Sequence, residues 1–99
     1  MRKVTFELPS WVNKENAKEE VLKTLLEKAL LKTEYYKSKI NPFERKYSLN
    51  FYEFKKKVES SPSEDFEEWD DLIEWEAYTK SYEEWKKKYD ELSKCLAKS

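Results

Sequence analysis

Glycine and histidine are absent from this 99-residue chain, and cysteine and methionine occur once each. Each absence removes a class of structure or chemistry. Without glycine, tight I′ and II′ hairpin turns and phosphate-cradling loops are not expected. Helices joined by short loops suit such a chain better. Without histidine, the commonest general base and metal ligand is missing. The single Cys95 excludes an internal disulfide and a cysteine-based zinc site, and is read as an ordinary small helical residue. A reduced, cytoplasmic setting is the expectation. No stretch approaches the ~18 apolar residues of a membrane span. The N-terminal residues lack the apolar core of a signal peptide.

Hydrophobic residues make up 38% of the chain, below the usual ~45–50%. One copy therefore builds only a modest core, and oligomerisation is a common remedy. Charged residues reach 41% but nearly cancel, at a net charge of −1, and aromatics are abundant at 16%. Disorder driven by net charge is not indicated. Bulk nucleic-acid binding has no global support either. Heavy Lys and Glu usage with few Asn, Gln, Cys and Met matches thermophile composition.

What is present is organised around residues 64–97, which contain no proline. Pro62 breaks the chain ahead, Ser63 is an expected N-cap, and Glu64, Asp65 and Glu67 fill the first turn. Trp75, Tyr78, Tyr82, Trp85, Tyr89, Leu92 and Leu96 recur at alternating intervals of three and four, a heptad stripe. Upstream the apolar positions shift to Phe66, Trp69, Leu72 and Ile73. The face widens or rotates there, so the two halves are expected to contact different surfaces. A helix of ~33 residues runs ~50 Å, whereas a compact domain of this length has a radius of gyration of ~13 Å. The helix must project, bend or pack against another chain. Ten acidic residues against Lys80 alone fill residues 64–84. The plain reading is helix stabilisation and a solvated face. The sharper one is an acidic, aromatic docking surface, since Trp and Tyr are frequent interface anchors.

Upstream, residues 3–8 alternate polar and apolar, placing Val4, Phe6 and Leu8 on one face, and Pro9 stops the run. A lone strand pairs with a copy of itself or with a partner's sheet edge. Equally, the segment is an extended arm packing Phe6 and Trp11 onto helices. Asn13 or Asn16 caps a first helix that runs to about Lys39. Val21, Leu22, Leu25, Leu26, Ala29, Leu30 and Leu31 make it the expected core element. Asn41-Pro42 starts a short turn to Tyr47. Ser48 caps a helix over residues 49–59 with Leu49, Tyr52 or Phe51, Phe54 and Val58 inward, and residues 60–63 form the linker.

Residues 37–58 carry seven basic residues against two acidic ones, beside the acidic run. Mutual neutralisation, within one chain or between two, is the first reading. The alternative is weak RNA binding by a phosphate-contacting patch at Lys55, Lys56 and Lys57, with Tyr47, Phe51 and Tyr52 stacking bases. Glu67, Asp71 and Glu74 share a helix face, but cation sites draw ligands from several elements, so no metal, cofactor or catalytic residue is assigned.

Three stretches carry a family resemblance: Lys3-Val4-Thr5-Phe6-Glu7-Leu8-Pro9, Ser48-Leu49-Asn50-Phe51-Tyr52-Glu53-Phe54, and the acidic, Trp-rich run from Phe66 to Tyr78 with its Trp75-Glu76-Ala77-Tyr78 centre. Together they resemble small archaeal and bacterial antitoxin-like proteins that partner PIN-domain ribonucleases, over about half the chain. The resemblance implies an elongated helix wrapped over a toxin, blocking its acidic, metal-dependent RNase site. Because residues 64–84 are acidic here, docking falls to the aromatic stripe, with Lys86, Lys87 and Lys88 or the basic middle reaching the cleft.

The expected fold is mainly α, with one short N-terminal β-strand, a long core helix, a short helix pair and a long C-terminal helix. One domain is expected, with residues 1–61 forming the strand and helical core and residues 62–99 the long acidic-aromatic C-terminal helix, which has room to project as an arm. The expected function is non-enzymatic: an antitoxin-like protein inhibitor of a ribonuclease toxin. Phe66, Trp69, Ile73, Trp75, Tyr78, Tyr82, Trp85 and Tyr89 would anchor the partner, and Val4, Phe6 and Leu8 would pair as a strand. The alternative is a structural homo-oligomer, a dimer or higher, whose heptad stripe pairs with itself.

Overall fold

The computed structural model describes residue 11 and residues 16–98. It is mainly helical: α1 spans Ala17–Tyr47, α2 Phe51–Ser60 and α3 Phe66–Ala97. Among the described residues there is no strand, and the expected strand at Val4, Phe6 and Leu8 lies outside them. No helix among them is long and apolar enough to cross a membrane.

α1 and α3 form an antiparallel hairpin. Near its closed end Phe43 meets Trp75, and farther along Lys28 lies over Trp85. The α1 residues facing α3 are Leu22, Leu26, Ala29, Thr33, Tyr36, Ile40, Phe43 and Tyr47, again at alternating intervals of four and three. Each is buried or half-buried, as are all seven residues of the α3 stripe. Two heptad seams therefore face each other within one chain. The radius of gyration is 19.7 Å and the molecule measures 64 × 26 × 22 Å. The length of α3 is absorbed by a partner helix of the same chain.

α2 lies along the first half of α3, with Tyr52 reaching Glu83, Lys55 reaching Glu76 and Lys57 reaching Glu68. The core sits at this three-helix end: Ile40, Phe51, Phe54, Val58, Leu72 and Trp75. That corrects the expectation for α1. Of its leucine-rich stretch only Ala29 is buried, whereas Val21 is 57% and Leu31 66% exposed. The chain has no third helix over that half of the hairpin among the described residues, so apolar side chains there outnumber the surfaces that cover them.

Local signals set the boundaries. α2 starts on a capping box: the Asn50 side chain accepts from the Glu53 N–H and the Glu53 side chain accepts from the Asn50 N–H. α3 starts on Asp65, whose carboxylate accepts from the N–H groups of Glu67 and Glu68. Ser48 and Ser63 are therefore not the caps. Ser48 instead ends α1 in the left-handed region at φ 55, a place glycine usually takes. In a chain without glycine a serine occupies it.

The largest local departure is Pro42. It stands inside α1, which continues through it to Tyr47. The proline lacks the N–H that would bond the carbonyl of Ser38, and interior proline costs about 3 kcal/mol against alanine. The helix holds because Ile40, Phe43 and Tyr47 all pack on the core around Trp75. A break at Asn41 would withdraw Phe43 and Tyr47 from it. Pro42 is exposed, so Pro42→Ala restores a hydrogen bond without touching the core. Allowing about 1 kcal/mol for the looser unfolded chain, it should raise stability by about 2 kcal/mol. Thermal unfolding followed by circular dichroism should show a gain of about 8–16 °C. An unchanged or lower Tm rejects a continuous α1.

Candidate functional site

Period and packing divide the aromatic residues of α3 into two sets. Trp75 is fully buried, stacked on Phe43 at 5.5 Å between ring centroids and packed on Phe54 at 5.1 Å and Phe51 at 5.8 Å. Tyr78 lies against Phe43 and Tyr36. Tyr82 and Trp85 carry the ammonium groups of Lys37 and Lys28, from α1, at 5.7 and 5.8 Å. Tyr89 is half-buried on the same seam. These five residues, expected as partner anchors, are engaged within the chain. Trp75 has no surface left to offer, so as an anchor it is corrected to a core residue. Self-pairing of that stripe between copies is likewise pre-empted, because α1 occupies it.

Phe66, Trp69 and Ile73 form the second set. Their spacing of three and four keeps them on one face, and Ile73 to Trp75 is a step of about 200° around the helix. They point away from α1. Phe66 is 77%, Ile73 68% and Trp69 38% exposed. Trp69 and Ile73, with Leu72 and Ala77, line a groove between α2 and α3. Lys55 and Glu59 of α2 and Glu76 and Lys80 of α3 rim it. Lys55 and Lys80 both pair with Glu76, at 3.8 and 3.0 Å, and Lys80 first, with Lys55, holds that carboxyl below its ordinary range. The site is an apolar floor with a charge-balanced rim. Its shape follows from α2, which is short and leaves the outer face of α3 bare.

The basic middle and the acidic helix neutralise one another within the chain, the first of the two readings of that charge pattern. Lys46 bonds both Glu67 and Asp71 at 2.7 Å, and Lys57 meets Glu68 at 3.7 Å. Lys55 and Lys57 are thus committed to α3, and Lys56 alone of the three is exposed without an ion pair among those described. Exposed pairs contribute little individually. Asp71 differs: its side chain is only 17% exposed, and it also accepts from the Tyr47 hydroxyl. By sequence Asp71 is one carboxylate of an acidic helix face. Nothing in its spacing says that Tyr47, 24 residues earlier, would reach it.

Burial pushes the Asp71 carboxyl up, but hydrogen bonds from Lys46 and Tyr47 outweigh it and the net displacement is downward. Burial first, and the bond to Asp71 second, push the Tyr47 phenol up to about 12. The Lys46 ammonium is held well above its ordinary value by the same carboxylates. A lowered acid stabilises the fold above its unfolded value near ~3.9, and that contribution disappears as pH falls through the lower folded value. A raised phenol stabilises below ~10 and loses its contribution as pH climbs toward 12. Tyr47→Phe keeps the ring on Phe54 and Trp75 and deletes only the bond. It should cost about 1–2 kcal/mol at pH 7. In urea titrations that difference should shrink below about pH 4 and above about pH 10. A difference constant across this range rules out the Tyr47–Asp71 bond.

Among the described residues no group of His, Cys, Asp and Glu is placed to hold a metal ion. Glu67 and Asp71 converge on Lys46 instead. Comparison with family models, curated proteins and solved structures returns no match.

Proposed function

We propose that the chain is a non-enzymatic protein-binding module of the cytoplasm whose docking face is Phe66, Trp69 and Ile73 beside α2. Its partner, on the resemblance carried by the run from Phe66 to Tyr78, is a ribonuclease toxin of the PIN class, which it inhibits as an antitoxin does. One observation supports docking above all: three large apolar side chains, one of them Trp, stand exposed at heptad spacing on a rigid helix. Rigid aromatic anchors next to a groove are what binding hot spots are made of. The folded hairpin supplies that rigidity beforehand, which lowers the ordering cost of association.

Weak RNA binding through Lys55, Lys56 and Lys57 is not favoured, because two of the three already face carboxylates of α3. The test is capture by the tagged chain from its host's lysate, read by mass spectrometry, followed by reconstitution with the purified partner. A small PIN-type ribonuclease in near-stoichiometric amount, silenced on mixing, is the expected result. Recovery of the bait alone, or a captured ribonuclease that stays active, rejects the inhibitor reading.

A further inference from the structure

The open half of the hairpin, on the side away from the Phe66 face, carries a second pair of stripes. On α1, Val21, Thr24, Lys28, Leu31 and Tyr35 recur at intervals of three and four. On α3, Ser81, Trp85, Lys88, Leu92 and Cys95 do the same. The two stripes adjoin, since Leu25 and Lys28 share one surface groove with Trp85, Lys88 and Leu92. A neighbouring groove along α1 takes in Lys28 again with Leu31 and Tyr35. Val21, Leu31 and Tyr35 are each more than half exposed. Ala29 is the one described residue of residues 17–35 that is buried.

We propose that a second copy of this chain packs on that face, closing the α1–α3 hairpin into a four-helix bundle. Three observations choose a copy over a different partner. First, α1 carries a second heptad stripe beside its seam with α3, and the second stripe of α3 shares only the half-buried Trp85 and Leu92 with that seam; in a bundle of four each helix has two neighbours and needs two such faces. Second, the charges on the face are mixed, with Lys28, Lys32 and Lys88 beside Glu27 and Glu91, while Lys88 also pairs with Glu84 at 3.7 Å. A face carrying both signs is the kind a two-fold axis makes self-complementary, since residue i of one copy meets residue j of the other and j meets i. A partner selected by charge would call for one sign. Third, the area fits. Residues 21–35 and their α3 counterparts span roughly 25 Å along two helices each about 10 Å wide. That gives on the order of 500 Å² per copy, or about 1,000 Å² in all, the lower bound of a specific interface. An interface of that size lies at the weak end of the specific range. Lys28, Lys32 and Lys88 in the seam fix its register at some cost in strength, as seam lysines do. Their stems cover apolar surface while the ammonium groups reach the rim, and Lys28 and Lys88 already lie over the Trp85 ring at 5.8 and 4.3 Å.

Sedimentation equilibrium of the purified full chain from about 1 to 300 µM tests this without any toxin, so its outcome is separate from that of the inhibitor reading. The mass should rise from the 12.1 kDa of one chain toward twice that value. Leu31→Glu, at a position already 66% exposed, should weaken dimerisation tenfold or more and leave the helical circular dichroism of the dilute monomer unchanged. Val21→Glu should act in the same direction. A monomer at every concentration overturns the proposal and assigns the face to another chain. So does a dimer indifferent to both variants, or one broken by Trp69→Asp instead, which would place the copy on the α2 side.

Discussion

Trp75→Ala should cost about 3–5 kcal/mol, the range for truncating a large buried aromatic. Small domains hold only about 5–15 kcal/mol in all, so this one substitution removes about a fifth or more. The reason for placing it at the upper end is geometric. Trp75 is where the three helices meet: Phe43 and Tyr47 come from α1, Phe51 and Phe54 from α2, and the indole from α3. Its removal leaves four aromatic rings facing a hole that no single rotamer change closes. One term runs the other way. The indole N–H is buried without a hydrogen-bond partner among the described residues, and deleting it relieves a desolvation cost of about 1–3 kcal/mol. The packing loss exceeds it. Thermal unfolding should drop by on the order of 20 °C, and the aromatic near-UV signal should flatten while much of the far-UV helix remains. A Tm within a few degrees of the parent excludes the three-helix core described above. The same substitution would also abolish partner capture, but by unfolding the scaffold, so lost capture in Trp75→Ala says nothing about docking.

That ambiguity shows how far the sequence could be read. The mainly helical character, α2 and α3 were legible, as were the heptad of α3 and the cancellation of the basic middle by the acidic run; the expected short helix pair was not found, since residues 42–47 continue α1. Each rests on a local pattern: spacing, caps, and charge blocks opposite in sign. What was not legible is which of two adjacent stripes on one helix turns inward. Phe66, Trp69 and Ile73 are as apolar as Trp75, Tyr78 and Tyr82, and periodicity assigns both to faces without ranking them. The choice is made by α1, whose own seam at Leu22, Leu26, Ala29, Thr33 and Tyr36 runs the length of the hairpin. The leucines of α1 misled for a related reason. Their density marked a core, yet a core requires elements on several sides, and α2 stands over the other end. Pro42 misled because local preference before and at proline opposes helix, and only the packing of Phe43 and Tyr47 on Trp75 overrides it. Asn50 and Asp65 in place of Ser48 and Ser63 are smaller shifts of two residues, decided by which side-chain oxygen reaches the free N–H groups of the first turn.

The Trp69→Asp, Ile73→Asp double variant isolates docking from folding. Ile73 is 68% exposed, and Trp69, 38% exposed, lies at the surface of the groove, so neither substitution opens an enclosed cavity. Both add charge within the first two turns of α3 rather than in the Trp75 core. Stability should therefore fall by about 1–2 kcal/mol, most of it from the covered part of Trp69, well short of unfolding. Binding should change far more. A buried Trp anchor contributes 2 kcal/mol or more when truncated, and a desolvated carboxylate adds its own penalty. For the pair together, affinity for the proposed ribonuclease should fall by 100-fold or more, about 3 kcal/mol. Titration calorimetry of the purified proteins, with Tm measured on the same samples, gives both numbers. An unaltered Kd in a variant that remains folded removes Phe66, Trp69 and Ile73 from the interface. In that case the paired-charge rim around Glu76 and the basic run of Lys86, Lys87 and Lys88 become the surfaces to change next. A loss of affinity that salt also erodes in the parent would add a charged rim to the apolar floor, since exposed charge contacts weaken over a screening length of about 8 Å at physiological ionic strength while apolar burial does not. The floor then sets how long the partner stays, and the rim how fast it arrives.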